Sequence, residues 1–311
     1  MKRVAIALIA VLALTGCTEI GSIADKAQID LGLAQLASDL EQVPGVTGVE
    51  SHAELQGDYS YAISIGASAE TLSDSALHQV GVIAMEQLGA GVFGRHHVTF
   101  SVGSETGTQL GMNRFTGIDL DGELDYLAQL SAAYGAPLAI NFYDETRQIS
   151  SLAPSASPDW EAMRAIPDDS ALERSWYFDA LASMGELPDA SATDLADALR
   201  AIVPLASGLS LDISGVDVTL MDASYSDLSA PESSPNWPVA LQVAAVVSAS
   251  PLAVPHLAYY GDGSSGFAVA YHGPCTVDDL VVTPEDEALA TALAAALGDA
   301  RWGGGYCPVL S

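Results

Sequence analysis

The stretches of this chain that read as strands alternate residue by residue, and this limits the available folds more than any other feature. Tyr61, Ile63 and Ile65 stand in one phase while Ser60, Ala62 and Ser64 stand in the other. Val98, Phe100 and Val102 repeat the pattern, as do Leu138, Ile140 and Phe142 against Ala139, Asn141 and Tyr143. A strand of this kind buries one face and wets the other, so its sheet is covered by helices on one side only. A sheet sandwiched between helices would show continuous apolar runs instead.

Helical periodicity falls between these strands. Leu33, Leu36 and Leu40 mark a helix ending before Pro44-Gly45, and Thr71 to Leu88 carries Leu77, Val80, Ala84 and Leu88 on one side, with Thr71 and Asp74 as its cap pair. A third helix runs from about Gly122 to Tyr134 behind Asp121. After residue 190 the same order returns. A helix at Asp194 to Val203 precedes a hairpin with Leu209, Leu211 and Ile213 opposite Val216, Val218 and Leu220, and a helix follows from Pro235–Pro238 to about Ala249. Strands at His256–Tyr260 and Phe267–Tyr271 flank the turn Gly261 to Gly266. The last helix is the best punctuated: Thr283 as N-cap, Pro284 at the first position, Glu285, Asp286 and Glu287 in the first turn, and Gly298 as the stop.

Both halves thus read helix, strand, then strand-helix-strand-strand-helix-strand. The expected fold class is α+β: two tandem modules of ferredoxin-like element order, with antiparallel sheets carrying helices on one face. The expected layout is a signal peptide at 1–16, a lipidated tether at 17–25, a first module at 26–152, a helical connector at 153–191 and a second module at 192–311. Trp160, Trp176, Tyr177 and Phe178 argue that the connector packs against a module.

The N-terminus supplies an address. Lys2 and Arg3 precede an apolar run from Val4 to Leu14, too short for a bilayer core that needs about twenty residues, and Leu14-Thr15-Gly16-Cys17 follows. These residues resemble a bacterial lipoprotein signal. That resemblance implies diacylation of the Cys17 thiol, cleavage before Cys17 and anchoring to the membrane outside the cytoplasm. In element order, though in no motif, the modules also resemble ring-forming secretion lipoproteins, which implies assembly on a partner or on further copies.

In an oxidising compartment the two remaining cysteines, Cys275 and Cys307, are expected to form a disulfide, with metal or catalytic roles as the exceptions. Net charge is −30, and loss of Lys2 and Arg3 makes it more negative still, leaving Lys26 as the one lysine. Such a field repels nucleic-acid phosphates and anionic headgroups, so attachment to the membrane comes through the lipid.

Recognisable chemistry is scarce. His96 and His97 are neighbours beside a strand and read as surface and edge residues; His256 and His272 fall at strand ends that could approach each other, but without further ligands no metal site is expected there. The run Asp119, Asp121, Glu123 and Asp125 imitates a calcium loop without its late glutamate, and reads better as a helix cap. Gly261 to Gly266 reads as a hairpin turn, and Gly303-Gly304-Gly305 as a turn before the last strand. No nucleophile elbow, phosphate loop or dinucleotide fingerprint is present, and no cofactor is implied. The expected function is a non-enzymatic binding or assembly module of the envelope, with an extracytoplasmic hydrolase of wall polymers as the alternative.

Overall fold

A computed structural model describes residues 17–56, 60–69, 72–104, 109–153, 155, 158–179, 181–203, 209–214, 217–225, 227–250, 255–262, 266–273 and 282–304. They divide into two compact units, Met1–Glu173 and Arg174–Ser311. In the first, α1 (Cys17–Leu40) leads to β1 (Val46–Gln56) and β2 (Ser60–Ala69), then α2 (Asp74–Leu88), β3 (His97–Ser104) and β4 (Gln109–Met112). There follow α3 (Leu120–Tyr134), β5 (Leu138–Tyr143), β6 (Thr146–Ser151) and α4 (Trp160–Ala165). The second unit runs β7 (Glu173–Phe178), β8 (Leu181–Met184), α5 (Ala190–Arg200), β9 (Leu209–Ser214) and β10 (Asp217–Asp222), then α6 (Trp237–Ala249). It ends with β11 (His256–Tyr260), β12 (Phe267–His272), α7 (Pro284–Leu297) and β13 (Trp302–Gly304).

The expected element order is present, but the sheets are not ferredoxin-like. Strands lie in chain order within each unit, and the strands flanking a helix are adjacent and parallel: β2 with β3, β4 with β5, β8 with β9, β10 with β11. Hairpin partners, such as β1 with β2 or β5 with β6, are antiparallel, so the sheets are mixed rather than antiparallel. The reason lies in what alternation encodes: it specifies which face is buried and is silent on which strand lies beside which. The repeating unit is therefore shorter than the expected module. It is a helix followed by a hairpin, it continues through α4-β7-β8, and it ends in the partial copy α7-β13.

Register shows why helices occupy one face. Ile65, Phe100, Met112 and Phe142 are successive partners across β2 to β5, and Ala67, Val102, Leu110, Ile140 and Ile149 form the next row across β2 to β6. All are buried. The Gly81 position of α2 lies against Leu120 of α3 and Leu110 of β4, so both helices sit on this same apolar face. The β2-to-β3 and β4-to-β5 crossovers advance the same way along the sheet from oppositely directed strands, which gives them opposite hands. One of the two is left-handed, an arrangement parallel crossovers seldom take.

Caps place the helix starts. Ser73 accepts from the Ala76 amide and opens α2 two residues later than the expected Thr71, which itself lies outside the described residues. Thr283 and Asp286 form a reciprocal capping box on α7, Pro284 fills the first turn, and Gly298 takes φ +65° to close it. The stretch 17–25, expected as a tether, is the first part of α1. Segment 153–191, expected as a helical connector, instead supplies the short α4 and the β7–β8 hairpin, and the unit boundary falls inside it. Trp160 packs against Tyr134 in the first unit, and Trp176 stacks on Phe178 in the second. Among the described residues no helix is long and apolar enough to cross a membrane.

Candidate functional site

Three arrangements stand out, and two of them are polar side chains on the apolar face of a sheet. Arg147 occupies an inward position of β6, in phase with Ile149 and opposite Phe142. It is 1% exposed. Its Nη1 donates to Glu123 Oε2 at 2.9 Å and to Asp168 Oδ1 at 3.0 Å, its Nη2 donates to Asp168 Oδ2 at 2.5 Å, and its guanidinium lies 4.7 Å from the Tyr126 ring centroid. Burial works against the charge, but the hydrogen bonds to Asp168 and Glu123 outweigh it and hold the Arg147 pKa above its ordinary value. Ser170 Oγ donates to Glu123 Oε1 at 2.5 Å, so the cluster ties segment 167–173 to α3.

Beside this cluster lies a cleft of about 780 Å³ whose other charged walls are Asp119, Asp125, Glu145, Asp169 and Glu173, with Arg114 at one side. Its field favours cations. Glu123 and Asp168 are already engaged by Arg147, however, and no group of three histidine, cysteine or acidic side chains able to hold a metal occurs among the described residues.

In the second unit Asp222 ends β10 in phase with Val218 and Leu220 and is fully buried. Its Oδ1 accepts from the Ser224 amide at 3.1 Å, Ser224 Oγ at 2.6 Å and Asn236 Nδ2 at 2.9 Å. Its Oδ2 accepts from Ser234 Oγ at 2.6 Å and Tyr259 OH at 2.7 Å. Burial alone would raise this carboxyl, yet the donors from Ser224, Ser234, Tyr259 and Asn236 prevail and bring it down to about 2. Burial, together with the Asp222 charge, pushes Tyr259 well above the ordinary phenol range. This node fastens the segment between β10 and α6 to β11.

The third arrangement is the face that, among the described residues, no helix covers. In the first unit one row crosses it with small and polar residues, Gly66, Ser101, Gly111, Asn141 and Gln148 being consecutive partners, and Tyr143 stands exposed near its end. An added Cβ at Gly111 would meet Asn141 Oδ1 at 2.0 Å, so the asparagine lies flat over the glycine. In the second unit the uncovered face has a row of different character, Ser210, Met221, Tyr260 and Phe267. Met221 is 44% and Phe267 53% exposed, and the Tyr260 and Phe267 rings stack with centroids 5.0 Å apart.

The residues singled out from sequence fare unequally. Cys17 is the first residue of α1, and Cys275 and Cys307 lie outside the described residues, as does the middle of the Gly261–Gly266 turn. His256 pairs with Tyr271, which puts His272 on the opposite face of the sheet, so a shared zinc site does not form. Each histidine has its own carboxylate: His256 Nδ1 lies 2.5 Å from Asp217, and His272 Nε2 lies 2.8 Å from Asp299. The run caps a helix as expected, but the N-cap of α3 is Asp119, accepting from the Gly122 amide, and Asp121, expected to open the helix, lies in its first turn. His96 is half-buried and His97 exposed. Gly303 and Gly304 belong to β13 itself, and the Tyr271 ring lies over Gly303 so closely that an added Cβ would meet it at 2.4 Å.

Arg147 and Asp222 were not foreseen as clusters, although a signal existed. Each is the charged residue in the inward phase of an alternating strand. Comparison with known proteins finds no matching family, curated protein or solved structure.

Proposed function

We propose that this protein is a lipid-anchored, extracytoplasmic binding module of the cell envelope that engages its partner through the uncovered face of its sheets. The observation that carries this reading is the Met221–Tyr260–Phe267 row, three large side chains aligned on adjacent strands, with Met221 and Phe267 exposed and Tyr260 half-buried. Apolar side chains scattered over a surface need no explanation, whereas an aligned, stacked group on a flat face is the form of a contact site. The buried clusters support this division of labour: the Arg147 Nη atoms and the Asp222 carboxylate are engaged in holding loops, which leaves recognition to the sheet face.

Anchoring rests on the resemblance of Leu14-Thr15-Gly16-Cys17 to a lipoprotein signal. Cys17→Ser should give unlipidated precursor or a soluble product, read by membrane fractionation; a variant that stays membrane-bound at native levels would show the anchor to be something else.

The binding face is tested by photo-crosslinking of the full lipidated chain in its own envelope. A photoreactive phenylalanine analogue at position 267 should give discrete adducts, and the same group at Ala295, exposed on α7, should give none. Adducts from Ala295 with none from position 267 would overturn the reading.

A further inference from the structure

The uncovered face of the second unit also carries a signature of what it binds, and this inference rests on the binding-module reading above. From β9 to β13 the positions in phase with the apolar row hold Ser210, Asp212, Ser214, Asp217, Thr219, Ala258, Tyr271 and Gly303, all at least partly exposed, while Val269 and His256 in the same phase are buried. No lysine or arginine stands at any of them. Acids flank the row on both sides. Asp212 is exposed on β9 one row away, and Asp262 is exposed just beyond Tyr260. Among the described residues no cationic nitrogen lies within ion-pair distance of Asp212.

We infer that the Met221–Tyr260–Phe267 row, with Asp212 and Asp262 at its margins, is a docking site for a cationic polypeptide segment that presents an apolar or aromatic anchor flanked by lysine or arginine. Size fits this occupant. With strands about 4.8 Å apart, the row is about 10 Å long, the footprint of one or two anchor side chains, and such anchors supply most of the energy of small interfaces. Charge then selects the partner. The chain carries 40 acidic residues against 10 basic, so a second copy would bring like charge against like. Anionic polymers and anionic headgroups are repelled for the same reason. A basic segment gains attraction at long range and burial at contact.

The test uses the mature full-length protein and three synthetic hexapeptides: Lys-Trp-Lys-Lys-Phe-Lys, its glutamate analogue Glu-Trp-Glu-Glu-Phe-Glu, and the anchorless Lys-Ala-Lys-Lys-Ala-Lys. Titration should show binding by the first alone, weakened about tenfold by Phe267→Ser, about threefold by Asp212→Asn, and unchanged by Leu31→Ser, an exposed leucine of the other unit. Phe267 is half in water, so its replacement leaves the fold intact, and a thermal melt of each variant verifies this. Equal binding of the anchorless peptide, or indifference to Phe267→Ser, would reduce the effect to bulk charge and overturn the proposal. So would binding of the glutamate analogue, or self-association that competes with the first peptide. Failure here together with crosslinks from position 267 in the envelope would leave the binding module standing and remove only its cationic partner; failure of both removes both.

Discussion

Arg147→Leu lowers the stability of the first unit by about 3–5 kcal/mol, the loss that follows when one partner of a buried ion cluster is removed and the others stay. Glu123 is 6% exposed and would keep only Ser170 as a donor, and Asp168 would lose both guanidinium bonds. A carboxylate left in that position has no cheap remedy, because the apolar row through Phe142 and Met112 lies beside it. Urea unfolding followed by hydrogen exchange in segments 120–134 and 138–151 reads the change within the unit itself. Arg147→Lys should fall between, since an ammonium keeps the charge but cannot bond Asp168 in the same two-pronged way. The informative comparison is the double variant Arg147→Leu/Glu123→Leu, which removes charge from both buried positions and should recover most of the loss. If the double variant is less stable than the single one, the damage comes from lost packing and the ionic account is wrong.

That cluster also shows how far the sequence could be read. Alternation in Leu138–Tyr143 and spacing in Leu120–Tyr134 located β5 and α3 and named their buried sides, because burial of a face acts on every second or every third to fourth residue and leaves a local record. Chain termination left an equally local record at Thr283, Pro284 and Gly298, where cap geometry depends on a few neighbouring residues. Strand order left none. The alternation of β2 is satisfied equally by a parallel neighbour such as β3 or by a distant antiparallel one, and only three-dimensional closure chooses between them. The same distinction governs the sites. The Asp119 cap contacts a residue three positions away and was legible to within two residues, since the sequence pointed to Asp121, while Arg147 finds Glu123 twenty-four residues back and Asp168 twenty-one ahead. A charged residue in the inward phase of a strand announces that a partner exists without saying where. The exposed row was hidden for a related reason: Met221, Tyr260 and Phe267 come from three strands and become one surface only through register.

Asp222 supplies the second large effect, and it carries a pH dependence whose sign is fixed. The carboxyl sits near 2 in the folded chain against an ordinary value of 3.8, so the folded state holds the proton less tightly than the unfolded state does. Its contribution is therefore complete above about pH 4 and is lost as the pH falls from there through 2. The difference corresponds to about 2 kcal/mol for this one group. Asp222→Ala should remove that contribution at every pH and in addition strand Ser234, Tyr259 and Asn236 as donors in or beside the buried site, for a total near 3–4 kcal/mol at neutral pH. Asp222→Asn keeps the shape but turns an amide N–H toward hydroxyls that were donating, so it should rescue less than its size suggests. Hydrogen exchange in segment 227–237, which the node fastens to β11, should quicken in both variants before the α7 amides change. The decisive measurement is stability against pH: the wild-type chain loses more between pH 4 and pH 2 than Asp222→Ala does. Equal slopes for the two proteins over that interval would place the acid sensitivity on other carboxylates and leave Asp222 as a packing residue alone.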